Sequence, residues 1–124
     1  MEELLKIMDT LLGENGCPWD KEQTHESMIK HLHEEAGEVV DAINQKNMES
    51  LKEELGDLLL QVVFHAKLAE KAGEFTFNDV TTVICDKLIR RHTHVFGEDT
   101  ALSAEDVVNI WNKNKEKEKF IENC

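Results

Sequence analysis

The sequence has little that would staple a secreted fold or anchor a membrane-bound one. Only three cysteines occur, Cys17, Cys85 and Cys124. They are far apart, odd in number and form no CxxC pair, which excludes a disulfide scaffold and a zinc ribbon and fits a reduced, cytoplasmic setting. Pro18 is the single proline. The longest apolar stretches, Leu58 to Leu60 and Val62 to Phe64, are split by Gln61, far short of the roughly eighteen residues of a bilayer span. The start, Met1-Glu2-Glu3-Leu4, lacks a signal-peptide pattern. Positive charge is also scarce: 14 Lys and Arg stand against 26 Asp and Glu, a net charge of −12. Such a chain is poorly suited to nucleic acid or an anionic membrane and well suited to cations. A phosphate-bearing substrate would need metal ions or a local basic patch. A Gly-rich phosphate loop of the Walker or Rossmann type is missing as well.

What is present is helical periodicity. The 124 residues, 40% apolar and 32% charged, amount to a single domain over 1–124. Residues 3–12 carry Leu4, Leu5, Ile7, Met8, Leu11 and Leu12 at helical spacing. Gly13 and Gly16 break that pattern, and Cys17-Pro18-Trp19-Asp20 reads as a loop. A second helix is predicted over Thr24 to Gln45, with Met28, Ile29, Leu32, Ala36, Val39, Val40 and Ile43 as its stripe. The third and longest runs over Met48 to Ala72, with Leu51, Leu55, Leu58, Leu59, Val62, Val63, Ala66 and Ala69 as its stripe and Gly73 as its C-terminal stop. The short link between these two makes them an antiparallel hairpin. A fourth helix covers Asn78 to His92, with Asn78 as N-cap and Val80, Val83, Ile84 and Leu88 inward. A fifth covers Ala104 to Phe120, capped by Ser103. Period-two alternation is absent, so the fold class is all-α, a bundle of about five helices.

The informative stretch is Glu34-Glu35-Ala36-Gly37-Glu38 followed by Glu53-Glu54-Leu55-Gly56-Asp57. Glu35 and Glu38 share one helix face, and Glu54 and Asp57 share one face of the next. In an antiparallel hairpin the two faces can meet. Four carboxylates then converge, which is costly unless a divalent cation with a preference for hard oxygen ligands sits among them. Gly37 and Gly56 sit inside the two acidic pairs. A mid-helix Gly costs about 1 kcal/mol relative to Ala, so the matched pair suggests close backbone approach or room for a ligand. The plainer alternative is ordinary solvated charge on acidic helices.

Lys87, Arg90 and Arg91 form a basic cluster whose fork suits phosphate oxygens; ion pairing with acids such as Asp86 is the competing reading. His92 and His94 form an HxH pair, a weak metal signal beside the commoner use of such residues in capping or backbone bonds. Trp19 and Trp111 can stack on a base or simply fill the core. Glu22-x-x-His25 has the spacing of a di-iron carboxylate motif but occurs once, at a loop–helix junction.

Together these segments resemble the MazG family of all-α nucleoside triphosphate pyrophosphohydrolases. The resemblance rests on Cys17-Pro18-Trp19-Asp20, Gln23-Thr24-His25-Glu26-Ser27 and Glu34-Glu35-Ala36-Gly37-Glu38-Val39-Val40-Asp41-Ala42-Ile43. It continues through Glu53-Glu54-Leu55-Gly56-Asp57-Leu58-Leu59-Leu60-Gln61-Val62-Val63-Phe64-His65-Ala66, the run Asp86 to Phe96, and Trp111. It implies Mg²⁺-dependent hydrolysis of nucleoside triphosphates to monophosphate and pyrophosphate, with Mn²⁺ as a substitute. Glu35, Glu38, Glu54 and Asp57 are the implied metal ligands. Lys87, Arg90, Arg91 and Trp111 are the implied nucleotide contacts, and His31, Lys52 and Lys115 complete the nucleotide-binding set. Glu34 or Glu53 is the candidate acceptor of the attacking water's proton, and the Lys87, Arg90 and Arg91 cations are expected to stabilise charge developing on the phosphates. The resemblance also implies a homodimer and a nucleotide-pool housecleaning or regulatory role, with neither nucleic acid nor membrane as partner. Two positions depart from the family pattern: Thr93 stands where Pro is common between the histidines, and Gly37 where a large residue is common. The competing class is a non-catalytic metal-binding or interaction bundle.

Overall fold

The computed structural model describes the backbone of residues 1–122 and the side chains of residues 1–119; Cys124 lies outside them. Among the described residues every regular element is a helix. The chain divides into two compact units, one over residues 1–77 and one from Asn78 onward.

The first unit contains α1 (Glu2–Leu11), α2 (Pro18–Glu22), α3 (Ile29–Asn44) and α4 (Met48–Lys71). α2 replaces the loop expected at Cys17–Asp20: Pro18 sits in its first turn, where a missing N–H is harmless and its fixed φ suits a helix. α3 starts at Ile29, later than the predicted Thr24, because the Thr24 and Ser27 side chains satisfy the local backbone first. Ser27 N donates to Thr24 Oγ1 at 3.0 Å, and Thr24 N donates to Ser27 Oγ at 2.8 Å. Such side-chain bonds compete with helix propagation.

The α3–α4 connection is the expected tight hairpin. After Gln45, Lys46 adopts φ 56°, its N–H donating to Ile43 O at 3.1 Å while Asn47 N donates to Ala42 O at 3.2 Å. That is a Schellman closure with lysine in the position glycine normally fills. Asn47 then caps α4 by accepting from Ser50 N at 3.1 Å. The far end of α4 closes in the same way around Gly73, at φ 73°, with Gly73 N on Glu70 O and Glu74 N on Ala69 O; the stop expected at Gly73 is borne out.

The core of this unit is Met8, Leu12, Met28, Val63 and Phe64, with Leu4, Leu5, Leu11, Leu60, Leu68 and Phe77 around them. Lys67 is buried beside it, 2.7 Å from Asp9 and 3.2 Å from Glu70. The Asp9 bond leads in holding its ammonium above the usual lysine range. Much of the predicted hairpin stripe is not inside. Ile29, Leu32, Val40 and Ile43 of α3 and Leu55, Leu59 and Val62 of α4 are exposed.

The second unit contains α5 (Phe77–Arg91), α6 (Thr93–Phe96) and α7 (Ala104–Glu122). With α2 and α6 the total among the described residues is seven helices, two more than the periodicity predicts; both extras are too short to carry a stripe. α5 begins one residue before Asn78, which therefore lies in the first turn and is not its cap. The Asn78 carbonyl accepts from Thr81 Oγ1 at 2.9 Å. Val83, Ile84 and Leu88, expected inward, are exposed, and α5 has no buried residue. Ser103 caps α7 as expected, accepting from Asp106 N at 3.2 Å. No helix among the described residues is long and apolar enough to cross a membrane.

Candidate metal centre and nucleotide-facing groups

The hairpin places successive acidic turns of α3 against those of α4. Glu35, Glu38, Glu54 and Asp57 each offer a carboxylate oxygen, and these oxygens all lie within 4.8 Å of one another. Glu35 and Glu54 are half-buried, Glu38 and Asp57 exposed. The spacing allows this meeting, and the antiparallel hairpin produces it.

The cluster is electrostatically unsettled without a cation. Burial, then the charges of Glu38 and Asp57, raise the Glu35 carboxyl above its ordinary range. A hydrogen bond with Glu38, followed by desolvation and the charges of Glu38, Asp57 and Glu35, pushes Glu54 up to about 7. Glu35 Oε2 and Glu54 Oε2 are both inaccessible to solvent and lack a hydrogen-bond partner. Unpartnered buried oxygens in an all-carboxylate set fit a hard divalent cation, which is satisfied by oxygen ligands alone. Gly37 and Gly56 are not sites of close approach: a Cβ at either would meet nothing within 4 Å. The space beside both acidic pairs is open.

The flanking acids lie outside the cluster. Glu34 is exposed, with an oxygen 3.6 Å from His31 Nδ1. Glu53 is exposed. Lys52 is exposed and ion-paired with Glu49 at 2.9 Å.

In the second unit, Lys87, Arg91, His92, Trp111 and Lys115 line a pocket of about 230 Å³. This brings together four of the predicted nucleotide contacts. Arg90 and Arg91 do form ion pairs, but with Glu118 rather than Asp86, at 3.3 and 3.1 Å. The Arg91 bond leads in holding the Glu118 carboxyl below the usual range. Trp111 packs its ring against His92, centroids 5.1 Å apart, and its Nε1 is buried without a partner. His92 Nδ1 also bonds to the Leu88 carbonyl at 2.6 Å, the backbone use the HxH pair suggested. Thr93, the departure from the family pattern, donates its hydroxyl to Asp99 and accepts from Asn114 Nδ2 at 3.1 Å. It thereby ties α6 to α7. Trp19 is half exposed rather than core.

Two polar groups escaped the sequence reading. Gln61 is 6% exposed with Oε1 unpartnered; its one signal is that it interrupts an apolar run. His25 and His65 bond through their Nδ1 atoms at 2.7 Å, rings stacked with centroids 5.0 Å apart. Forty residues separate them, so no local pattern could have paired them.

Residues 23–96 match the family model described as the MazG nucleotide pyrophosphohydrolase domain. The chain is 49% identical over 118 residues to the nucleoside triphosphate pyrophosphohydrolase/pyrophosphatase MazG of Thermotoga maritima, covering 95% of this chain and 46% of that protein. It is 47% identical over 120 residues to the nucleoside triphosphate pyrophosphohydrolase of Escherichia coli, covering 96% and 46%. It thus spans about half the length of these relatives. A crystal structure of a mazG-related protein from Thermotoga maritima superposes with a TM-score of 0.79 at 27% identity, over 94% of this chain and 99% of that one. The acidic hairpin lies wholly inside the matched segment, and on these grounds the chain belongs to the MazG nucleotide pyrophosphohydrolase domain family.

Proposed function

We propose that the chain hydrolyses nucleoside triphosphates to nucleoside monophosphate and pyrophosphate with Mg²⁺, Mn²⁺ substituting, in the cytoplasm, as housecleaning or regulation of the nucleotide pool. The observation that carries this is the four-carboxylate convergence with two unpartnered buried oxygens, in a chain of this family. Glu35, Glu38, Glu54 and Asp57 hold the cation. When bound, Mg²⁺ neutralises phosphate charge and activates water for attack on phosphorus.

The remaining steps belong to the chain's own side chains. Glu34 or Glu53 takes the proton of the attacking water; the His31 imidazole beside Glu34 supports Glu34. Lys87 and Arg91, with Trp111 and Lys115 around the same pocket, bind the nucleotide, and Arg90 adds charge. These fixed cations stabilise the negative charge that gathers on the leaving pyrophosphate. Lys52 acts from the surface once released from Glu49. We read residues 1–124 as a single domain of this activity.

The exposed apolar residues of the α3–α4 hairpin support a homodimer in which a second copy covers them, as neither nucleic acid nor membrane suits so acidic a chain. Sedimentation of Val40→Asp and Ile43→Asp beside the unsubstituted protein tests this; a monomer before substitution contradicts it. The activity is tested by incubating nucleoside triphosphates with protein and Mg²⁺ and separating the products. Monophosphate with pyrophosphate supports the reading, whereas diphosphate with phosphate, or metal binding without turnover, contradicts it.

A further inference from the structure

In the second unit one face of α7 grips Arg91. Trp111, Asn114, Lys115 and Glu118 stand at i, i+3, i+4 and i+7 and so form a single helical stripe. Trp111 and Lys115 line the pocket that Arg91 also lines. The other two residues of the stripe hold Arg91 at opposite ends. Glu118 Oε2 accepts from Arg91 Nη2 at 3.1 Å. Asn114 Nδ2 donates to the Arg91 carbonyl at 3.2 Å. Arg91 is the last residue of α5, and a terminal helix carbonyl has no partner within its own helix. Asn114 supplies that partner from α7.

Asn114 is 5% exposed, and its amino group also donates to Thr93 Oγ1 at 3.1 Å. The Thr93 hydroxyl has a single proton, which goes to Asp99, so its oxygen is left to accept from Asn114. The amide is thereby fixed with its amino group towards Arg91 and Thr93. Asp99 N in turn donates to Thr93 O at 3.2 Å, so Asp99 holds both the hydroxyl and the backbone of Thr93. Arg91 and Thr93 flank His92, at the junction of α5 and α6. A proline at position 93 would set this junction through its ring; here Thr93, Asp99 and Asn114 set it through hydrogen bonds.

We infer that Asn114 is a positioning residue for Arg91: its bond to the Arg91 carbonyl fixes where the arginine side chain starts, while Glu118 fixes where the guanidinium ends. The inference rests on the pyrophosphohydrolase reading above, in which Arg91 meets the phosphates. An arginine side chain turns about several bonds, and a cation stabilises developing charge best when it is in place beforehand. A misplacement of about 1 Å can cost on the order of a hundredfold in rate. The Glu118 bond occupies one amino group of the fork and leaves the rest of it for phosphate oxygens. Asn114 acts on no reacting group itself, so its whole effect passes through Arg91.

The test is a double-substitution cycle. Turnover of ATP, GTP, CTP and UTP with Mg²⁺ is measured first in the unsubstituted protein and in Arg91→Ala. No turnover in the unsubstituted protein overturns the pyrophosphohydrolase reading and, with it, this one. Full turnover in Arg91→Ala overturns the inference while sparing the activity. Asn114→Leu is close in size, lacks the N–H groups and suits a helix better than asparagine, so the helical content of the variant should be unchanged. We expect kcat to fall roughly tenfold or more in Asn114→Leu, with KM moving by less than about threefold. Added to Arg91→Ala, the same substitution should change kcat by less than about twofold. A loss that repeats undiminished in the Arg91→Ala background overturns the inference, since Asn114 would then act on the fold at large. Unchanged kcat in Asn114→Leu overturns it too. Should Asn114→Leu fail to fold, Thr93→Val runs the same cycle, because it keeps the shape of threonine and removes the hydroxyl that orients Asn114. Its expected loss is about threefold with Arg91 present and none without it; any other pattern overturns the inference.

Discussion

Glu38 and Glu54, on antiparallel helices, bring carboxylate oxygens within 4.8 Å of each other, and that closeness favours a proton on Glu54. Their helices bring the two oxygens together whether or not a cation is there to separate the charges. A Glu54 carboxyl pushed up to about 7 has a clear consequence for stability. A folded-state pKa above the unfolded one gives stability that is fully present below the ordinary 4.5 and lost as pH rises through about 7. The metal-free protein should therefore lose melting temperature between pH 5 and pH 8, and Glu54→Gln should flatten that slope and melt higher at pH 8. Calorimetric Mg²⁺ titration at pH 6.5 in buffers of different ionisation heat should show proton release. An unchanged slope in Glu54→Gln contradicts this.

The pairing of His25 with His65 acts in the opposite direction. Desolvation, then the neighbouring His25, lowers the His65 pKa below its ordinary 6.5. Its contribution is present above pH 6.5 and lost as pH falls through the lowered value. Their Nδ1–Nδ1 bond needs one donor and one acceptor, so protonating both rings breaks it. His65→Phe should remove the acid-side loss in urea unfolding between pH 7.5 and 5.5. At neutral pH it should cost about 1 kcal/mol for the missing bond.

Lys46 holds a left-handed backbone that costs a non-glycine residue about 1 kcal/mol. Lys46→Gly keeps both Schellman bonds and should raise unfolding stability by roughly 0.5–1 kcal/mol. A destabilised glycine variant would show that the lysine side chain contributes more than its backbone costs.

Lys87 faces the pocket that holds Trp111 and Lys115. Lys87→Ala should lower kcat/KM ten- to a thousand-fold, about 1.4 to 4 kcal/mol of transition-state stabilisation. Lys87→Arg should restore only part, because a guanidinium presents different donor geometry. Mg²⁺ affinity without nucleotide should hardly move. Normal kinetics in Lys87→Ala would shift the phosphate contacts to other cations.

How much of this was legible in the sequence depends on range. α3, α4 and the acidic faces were, because periodicity and a short link determine them without distant contacts. The start at Ile29 and the α2 turn were not, since Thr24, Ser27 and Pro18 act through local bonds that an apolar stripe does not register. The exposure of Val40, Ile43, Leu55 and Val62 follows the stripe correctly in spacing but not in burial: a stripe says which residues seek cover and not whether the same chain supplies it. Lys67 carries no local signal of burial, and Gln61 reads only as a polar interruption of an apolar run. Asp9 explains the burial of the first, and the second still lacks a partner within the chain.

The account stands most directly on one measurement: products formed from a nucleoside triphosphate and Mg²⁺ by the protein and by Glu35→Gln, Glu38→Gln, Glu54→Gln and Asp57→Asn, beside their helical content and Mg²⁺ affinity. It predicts monophosphate and pyrophosphate from the unsubstituted protein. Each variant should lose at least a hundredfold in rate, about 2.7 kcal/mol, and bind Mg²⁺ more weakly, with helical content unchanged. Full turnover at saturating Mg²⁺ in any two of the four variants would contradict the four-carboxylate centre.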